Sequence, residues 1–273
     1  MKSIREARFA GSWYPGDAVA LAADLDRYFK DAEPFEAPSP VWGLVSPHAG
    51  YVYSGPTAAW AYGTLVPGAY RTVVVLAPSH RVPFGGVSPW PSGSYRTPLG
   101  SISVDADFVA AALGGWSDSQ ELPVAHAAEH SLEMQLPFLQ RRLGSFLLVP
   151  IIIGGHSREL VRELARRLHE ASAGRNDVLV VASTDLSHFH AAPEAERLDA
   201  VARECIEAVD PDGVWEAVEE GTSELCGVMP VMTVLEMARR RSGSHAKVLA
   251  YTHSGRVTGD TGSVVGYLAA ALW

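Results

Sequence analysis

Four short apolar runs stand out along the chain: WGLVS at 42–46, TVVVLA at 72–77, FLLVPIII at 146–153 and DVLVVAS at 177–183. Each is rich in β-branched residues and bounded by turn-forming ones, so each predicts a strand. Apolar residues at consecutive rather than alternate positions imply burial on both faces, as in a parallel or mixed sheet. Between these runs, apolar positions recur every three or four residues over 105–113, 131–143 and 157–172, which predicts helices. The same spacing predicts helices over 194–209, 211–220 and 228–241, with Pro193 and Pro211 suited to first turns.

Two later strands, 246–252 and 263–269, complete the sheet, and the Pro-, Gly- and Ser-rich stretch 83–104 predicts a hairpin or excursion rather than a linker. Strands alternating with helices predict an α/β fold with a central, mostly parallel or mixed β-sheet flanked by helices. No repeat or boundary divides residues 1–273, so a single domain is expected.

Composition agrees with a well-buried core, since 47% of the residues are hydrophobic and 19% charged. The 22 basic and 31 acidic side chains leave a formal charge of −9, which disfavours nucleic acid and anionic membrane surfaces as partners. The densest basic run, Arg239 to Arg241, suits a helix C-terminus, where it complements the dipole. The opening MKSIREARFAGSW has no apolar signal core, and no stretch reaches the roughly 18 apolar residues of a membrane span, so a cytoplasmic protein is expected. Two cysteines are too few for a disulfide scaffold, which leaves a thiol free for metal or redox work.

Three of the strands run straight into residues that bind metals or move protons: WGLVS into Pro47-His48, VVVLA into Pro78-Ser79-His80, and LVVAS into Thr184-Asp185-Leu186-Ser187-His188. In open α/β sheets the carboxyl ends of strands line one crevice, so His48, His80, Asp185 and His188 are expected to face a common pocket. A lone histidine is more often a satisfied core or surface residue. Two strands ending in PH and PSH favour ligation, because proline stiffens the turn that carries the ring. Cys226, in SELCGVMPV, enters a predicted helix whose positive end favours a thiolate, and it is the candidate third ligand. Cys205, inside an amphipathic helix, reads as a small buried hydrophobe.

A further cluster, His126, Glu129, His130 and Glu133, formally contains the H-x-x-E-H pattern of inverted zincins, which makes a zinc peptidase using His126 a third alternative. Glu129 and His130 are read in preference as pocket-lining residues. No phosphate-binding glycine loop and no G-x-S-x-G nucleophile elbow is present.

Taken in order, ARFAGSWYPGD, SPHAGYVYSGPTAAWAY, LAPSHRVPF, SYRTPLG, EHSLEMQLPF, STDLSHF and ELCGVMPV resemble the Memo family, also called AmmeMemoRadiSam system protein B, over nearly the whole chain. The resemblance implies a fold like that of class III extradiol ring-cleaving dioxygenases and a metal site at His48, His80 and Cys226, with Asp185 and His188 beside it. Those dioxygenases carry a glutamate where this family has the cysteine, so ring cleavage itself is not implied. Sulfur ligation shifts preference toward copper, zinc or thiolate-bound iron.

The resulting expectation is a metal-dependent oxidoreductase-like protein with one iron(II) or copper ion, zinc being the further option. Asp185 would orient a neighbouring imidazole and His188 would exchange protons, while Glu129 and His130 would support the metal ligands or grip substrate in the pocket, and Trp13 and Tyr14 would help wall it. The alternative is a non-catalytic binding or scaffold protein that uses the same crevice for a small molecule, a peptide or a partner protein. The family's second name implies radical-SAM and Amme-type pathway partners.

Overall fold

The computed structural model of the protein describes residues 3–33 and 35–273; Met1, Lys2 and Pro34 of the expected domain lie outside the described residues. Seven strands lie in line in the order Ala246–His253, Val264–Leu272, Gly43–Ser46, Val178–Ser183, Thr72–Pro78, Leu147–Ile153 and Val87–Pro89, and His188–His190 pairs off this path with Val264–Leu272. The four middle strands are parallel. The strands outside them run antiparallel, giving a mixed α/β sheet. The middle strands are buried along almost their whole length, which is why their sequences read as unbroken apolar runs.

Helices on this sheet begin where side chains satisfy the free N–H groups of a first turn. Asp17 caps Ala18–Asp31, Asp105 caps Ala106–Leu113 and Ser157 caps Arg158–Ala171. Arg158–Ala171 buries Leu160, Val161, Leu164, Ala165 and Leu168 along one stripe and packs on Val228–Arg240. Helix Tyr51–Gly63, which the spacing does not predict, packs over the antiparallel strands and under Ala18–Asp31. It is buried on nearly every side and contains Pro56, so it has no polar face to reveal a helical period.

The helix expected over 131–143 is two helices, His130–Glu133 and Leu136–Leu143. Pro137 has no N–H to continue the first helix and sits instead in the first turn of the second. The stretch 83–104 contains a hairpin, Ser94–Thr97 against Gly100–Ser103, with Ile4–Arg5 beside it in a three-stranded sheet. No helix among the described residues is long and apolar enough to cross a membrane.

Candidate metal centre

Strand register places the chemistry. Ser46 pairs with Ser183, and Leu76 with Ala182, so three adjacent parallel strands end level. The chain beyond each end carries His48, Asp185 and His80 to the same edge. Asp185 Oδ1 accepts the main-chain N–H of His48 at 2.7 Å, locking one turn to the other. Its other oxygen is 4.0 Å from His48 Nε2, too far for a hydrogen bond. The expectation that Asp185 orients an imidazole is therefore corrected: it holds the backbone of His48 and not the ring.

The rings are oriented by two other residues. Ser183 Oγ donates to Ser131 O at 2.7 Å and accepts from Gln135 Nε2 at 2.7 Å, so it meets His48 Nδ1, 2.8 Å away, as an acceptor. His48 must then carry its proton on Nδ1, which leaves the Nε2 lone pair free. Glu129 plays the same part for His80. Its Oε1 accepts Nδ1–H at 2.9 Å and its Oε2 accepts the main-chain N–H at 2.6 Å, leaving His80 Nε2 free as well.

Burial alone would raise the Glu129 carboxyl, but the hydrogen bonds from the His80 ring and backbone and from the Ser131 backbone outweigh it and hold the pKa down at about 2. Burial, reinforced by the neighbouring His80, keeps the His48 imidazole well below its usual range and hence neutral. Both are states a metal ligand and its supporting carboxylate require.

Cys226 precedes the cap Gly227 of helix Val228–Arg240 and brings Sγ to 3.2 Å from His48 Nε2. The main-chain N–H of Asp185 donates to Sγ at 3.2 Å, and Gly227 N–H donates to Thr184 Oγ1 at 2.9 Å. Gly227 is required for this approach, because a Cβ there would lie 2.2 Å from Ser183 O. The expectation that the helix end favours the thiolate is corrected too: burial and then the Asp185 carboxylate push the thiol well above its ordinary value. A nearby cation is what would favour the thiolate here.

One nitrogen each from His48 and His80, and Cys226 Sγ, lie within 4.8 Å of one another. His80, Glu129 and His130 also fall within that span. The Glu129 oxygens, however, already accept from His80 N, His80 Nδ1, Ser131 N and Ser131 Oγ. Glu129 is thus saturated as a support for His80.

The cavity above these groups has a volume of about 460 Å³ and is lined by His48, His80, His130, Asp185, His188 and Trp13, among others. His130 stacks on His80 with ring centroids 4.6 Å apart and lies 4.5 Å from the Trp13 ring. Burial, together with His48, lowers its pKa to about 3. The His188 ring makes no hydrogen bond among the described residues and is half-buried at the cavity wall.

Tyr14, expected in the wall, is buried behind it instead, donating to Glu133 Oε1 at 2.6 Å and packed on Tyr51. Glu133 also pairs with the buried Arg5 and accepts the N–H groups of Arg8 and Phe9, so this one carboxylate anchors the segment that carries Trp13. Glu129 lies beneath His80 rather than on the wall.

His126 takes no part. It lies in helix Pro123–Ala127, apart from His130–Glu133, and both of its nitrogens are used, with Tyr95 OH at 2.5 Å from Nδ1 and Ser88 O at 3.0 Å from Nε2. This removes the inverted-zincin reading. Ser183 and Gln135 escaped the sequence reading, because a serine ending a strand and a glutamine between two short helices carry no signal of the ring they support.

Fold and site together define an α/β protein with a two-histidine, one-cysteine donor cluster at the carboxyl ends of parallel strands. The Memo-like protein family matches residues 5–271. A MEMO1 family protein of Methanopyrus kandleri is 36% identical over 276 residues, covering 97% of each chain. One of Thermotoga maritima is 36% identical over 98% of this chain and 99% of its own, and one of Sulfolobus acidocaldarius is 37% identical over 97% and 98%. The chain belongs to the Memo family.

Proposed function

We propose that this is a metal-dependent, oxidoreductase-like protein in which His48, His80 and Cys226 hold one ion, iron(II) or copper, with zinc as the further option. The observation that carries the reading is that donors from three distant segments meet within 4.8 Å while Ser183 and Glu129 free the imidazole lone pairs facing the cluster. Two imidazoles and a thiolate suit a borderline or soft ion. When bound, such an ion supplies Lewis acidity and, if iron or copper, one-electron chemistry.

The remaining tasks fall to the chain. Asp185 keeps the His48 turn in register with its neighbour. His188, whose ring makes no hydrogen bond among the described residues and lines the cavity, takes or gives a proton at a ring nitrogen. Trp13 and the neutral His130 hold the ligand's body and keep water from it.

A second reading, a binding protein using the same cavity without turnover, is favoured by the exposed apolar residues at its edge, Val52 and Tyr53. Metal analysis of anaerobically purified protein tests the first reading: about one ion per chain is expected, lost in Cys226→Ser and retained in His188→Ala. Wild-type protein that takes up neither iron, copper nor zinc under reducing conditions overturns it. Metal-loaded protein that consumes no oxygen with catechols or other reductants favours the binding reading.

A further inference from the structure

The basic run at 239–241 divides in the structure. Arg239 pairs with Asp210 and Asp212, and Arg240 Nη2 donates to Arg162 O at 3.5 Å. The Arg241 guanidinium has neither a carboxylate nor a hydrogen-bond acceptor among the described residues. Burial alone acts on it, lowering its pKa from the usual value while leaving it charged. It lies over the Trp42 ring, 4.5 Å from the centroid, and the two line a cavity of about 390 Å³.

That cavity is at the opposite edge of the sheet from the metal donors. Trp42 precedes Gly43–Ser46 and Val178 opens Val178–Ser183, the two strands whose far ends lead to His48 and Asp185. No aspartate or glutamate lines it. Arg175 does, but its Nε is committed to Asp177 and its Nη2 to Thr72. Trp273 forms a second aromatic wall, and its main-chain oxygen accepts His245 N–H at 3.0 Å.

The polar lining is also uncommitted. The side chains of Asn176, Ser242 and Ser244 make no hydrogen bond among the described residues. Trp42 is 8% exposed, and its indole N–H is buried without an acceptor. Unmet donors favour an acceptor, and a guanidinium favours one with two oxygens in its plane.

From this unpaired guanidinium stacked on an indole, in a cavity without an acidic side chain, we infer a second binding site, for a small molecule that carries a carboxylate or phosphate on a flat apolar body. The oxyanion takes the Arg241 fork and the body lies against Trp273. The site needs no metal and stands whether or not the centre proposed above binds one.

Calorimetric titration of the metal-free full chain at neutral pH with benzoate, phenyl phosphate and uncharged benzamide tests it. At least one of the anions is expected to bind about tenfold or more tightly than benzamide, and the tighter of them assigns the head group. That anion should shift the indole N–H resonance of Trp42, identified by its loss in Trp42→Phe. Arg241→Gln should weaken binding about tenfold or more, whereas His188→Ala, at the wall of the other cavity, should leave it unchanged. No anion binding below about 10 mM, or benzamide binding as tightly, overturns the inference. So does an affinity that His188→Ala removes and Arg241→Gln keeps. A Trp42 resonance unmoved at saturation overturns it even if Arg241→Gln fails to fold.

Discussion

Glu129 grips His80 at two points, its Oε2 accepting the main-chain N–H at 2.6 Å and its Oε1 accepting Nδ1–H at 2.9 Å. One buried carboxylate therefore sets the position of the turn, the tautomer of the ring and the direction of Nε2. In Glu129→Gln the amide presents an NH₂ group where four donors converge. Metal affinity is expected to fall about 10- to 100-fold with the fold intact, as measured by chelator competition. Unchanged affinity would mean that the ring does not need this grip.

Gly227 lets the segment bearing Cys226 lie directly on the end of strand Val178–Ser183. Gly227→Ala places a methyl group 2.2 Å from Ser183 O, so the backbone must move and take Sγ with it. With cobalt(II) as a spectroscopic probe, the sulfur-to-metal charge-transfer band is expected to weaken or vanish. Gly63→Ala, where the added Cβ meets nothing within 4 Å, serves as the control and should leave the band unaltered.

His126 links the fold to pH. Burial, against the opposing Ser88 hydrogen bond, lowers its pKa to about 4 from an ordinary 6.5, so the unfolded chain binds this proton more readily than the folded one. Its contribution is fully present above about pH 6.5 and is lost as pH falls toward 4, a total of about 3 kcal/mol. His48 and His130 act in the same direction. Urea midpoints measured across this window should fall less steeply with acidification in His126→Gln than in wild type; an identical slope would show that His126 does not titrate in this way.

Much of the frame was legible in the sequence because it is local. The runs at 72–77 and 177–183 could only be buried strands, and the stripe Leu160, Val161, Leu164, Ala165 and Leu168 only a helix against a core. Helix Tyr51–Gly63 was invisible for the opposite reason: it is apolar on all sides, and only its packing between the sheet and Ala18–Asp31 defines it.

For the site, the order of residues along the chain determined which side chains stand at strand ends, and hence that His48, His80, Asp185 and His188 share one cavity edge. Tertiary structure alone decided which of them support and which are free. Ser183 meets His48 across 135 positions of chain, and Glu129 meets His80 across 49. It likewise decided that Tyr14 turns inward while its neighbour Trp13 faces the cavity. Hydrogen bonds of this kind depend on register and burial between distant segments, which adjacent residues in a sequence do not encode.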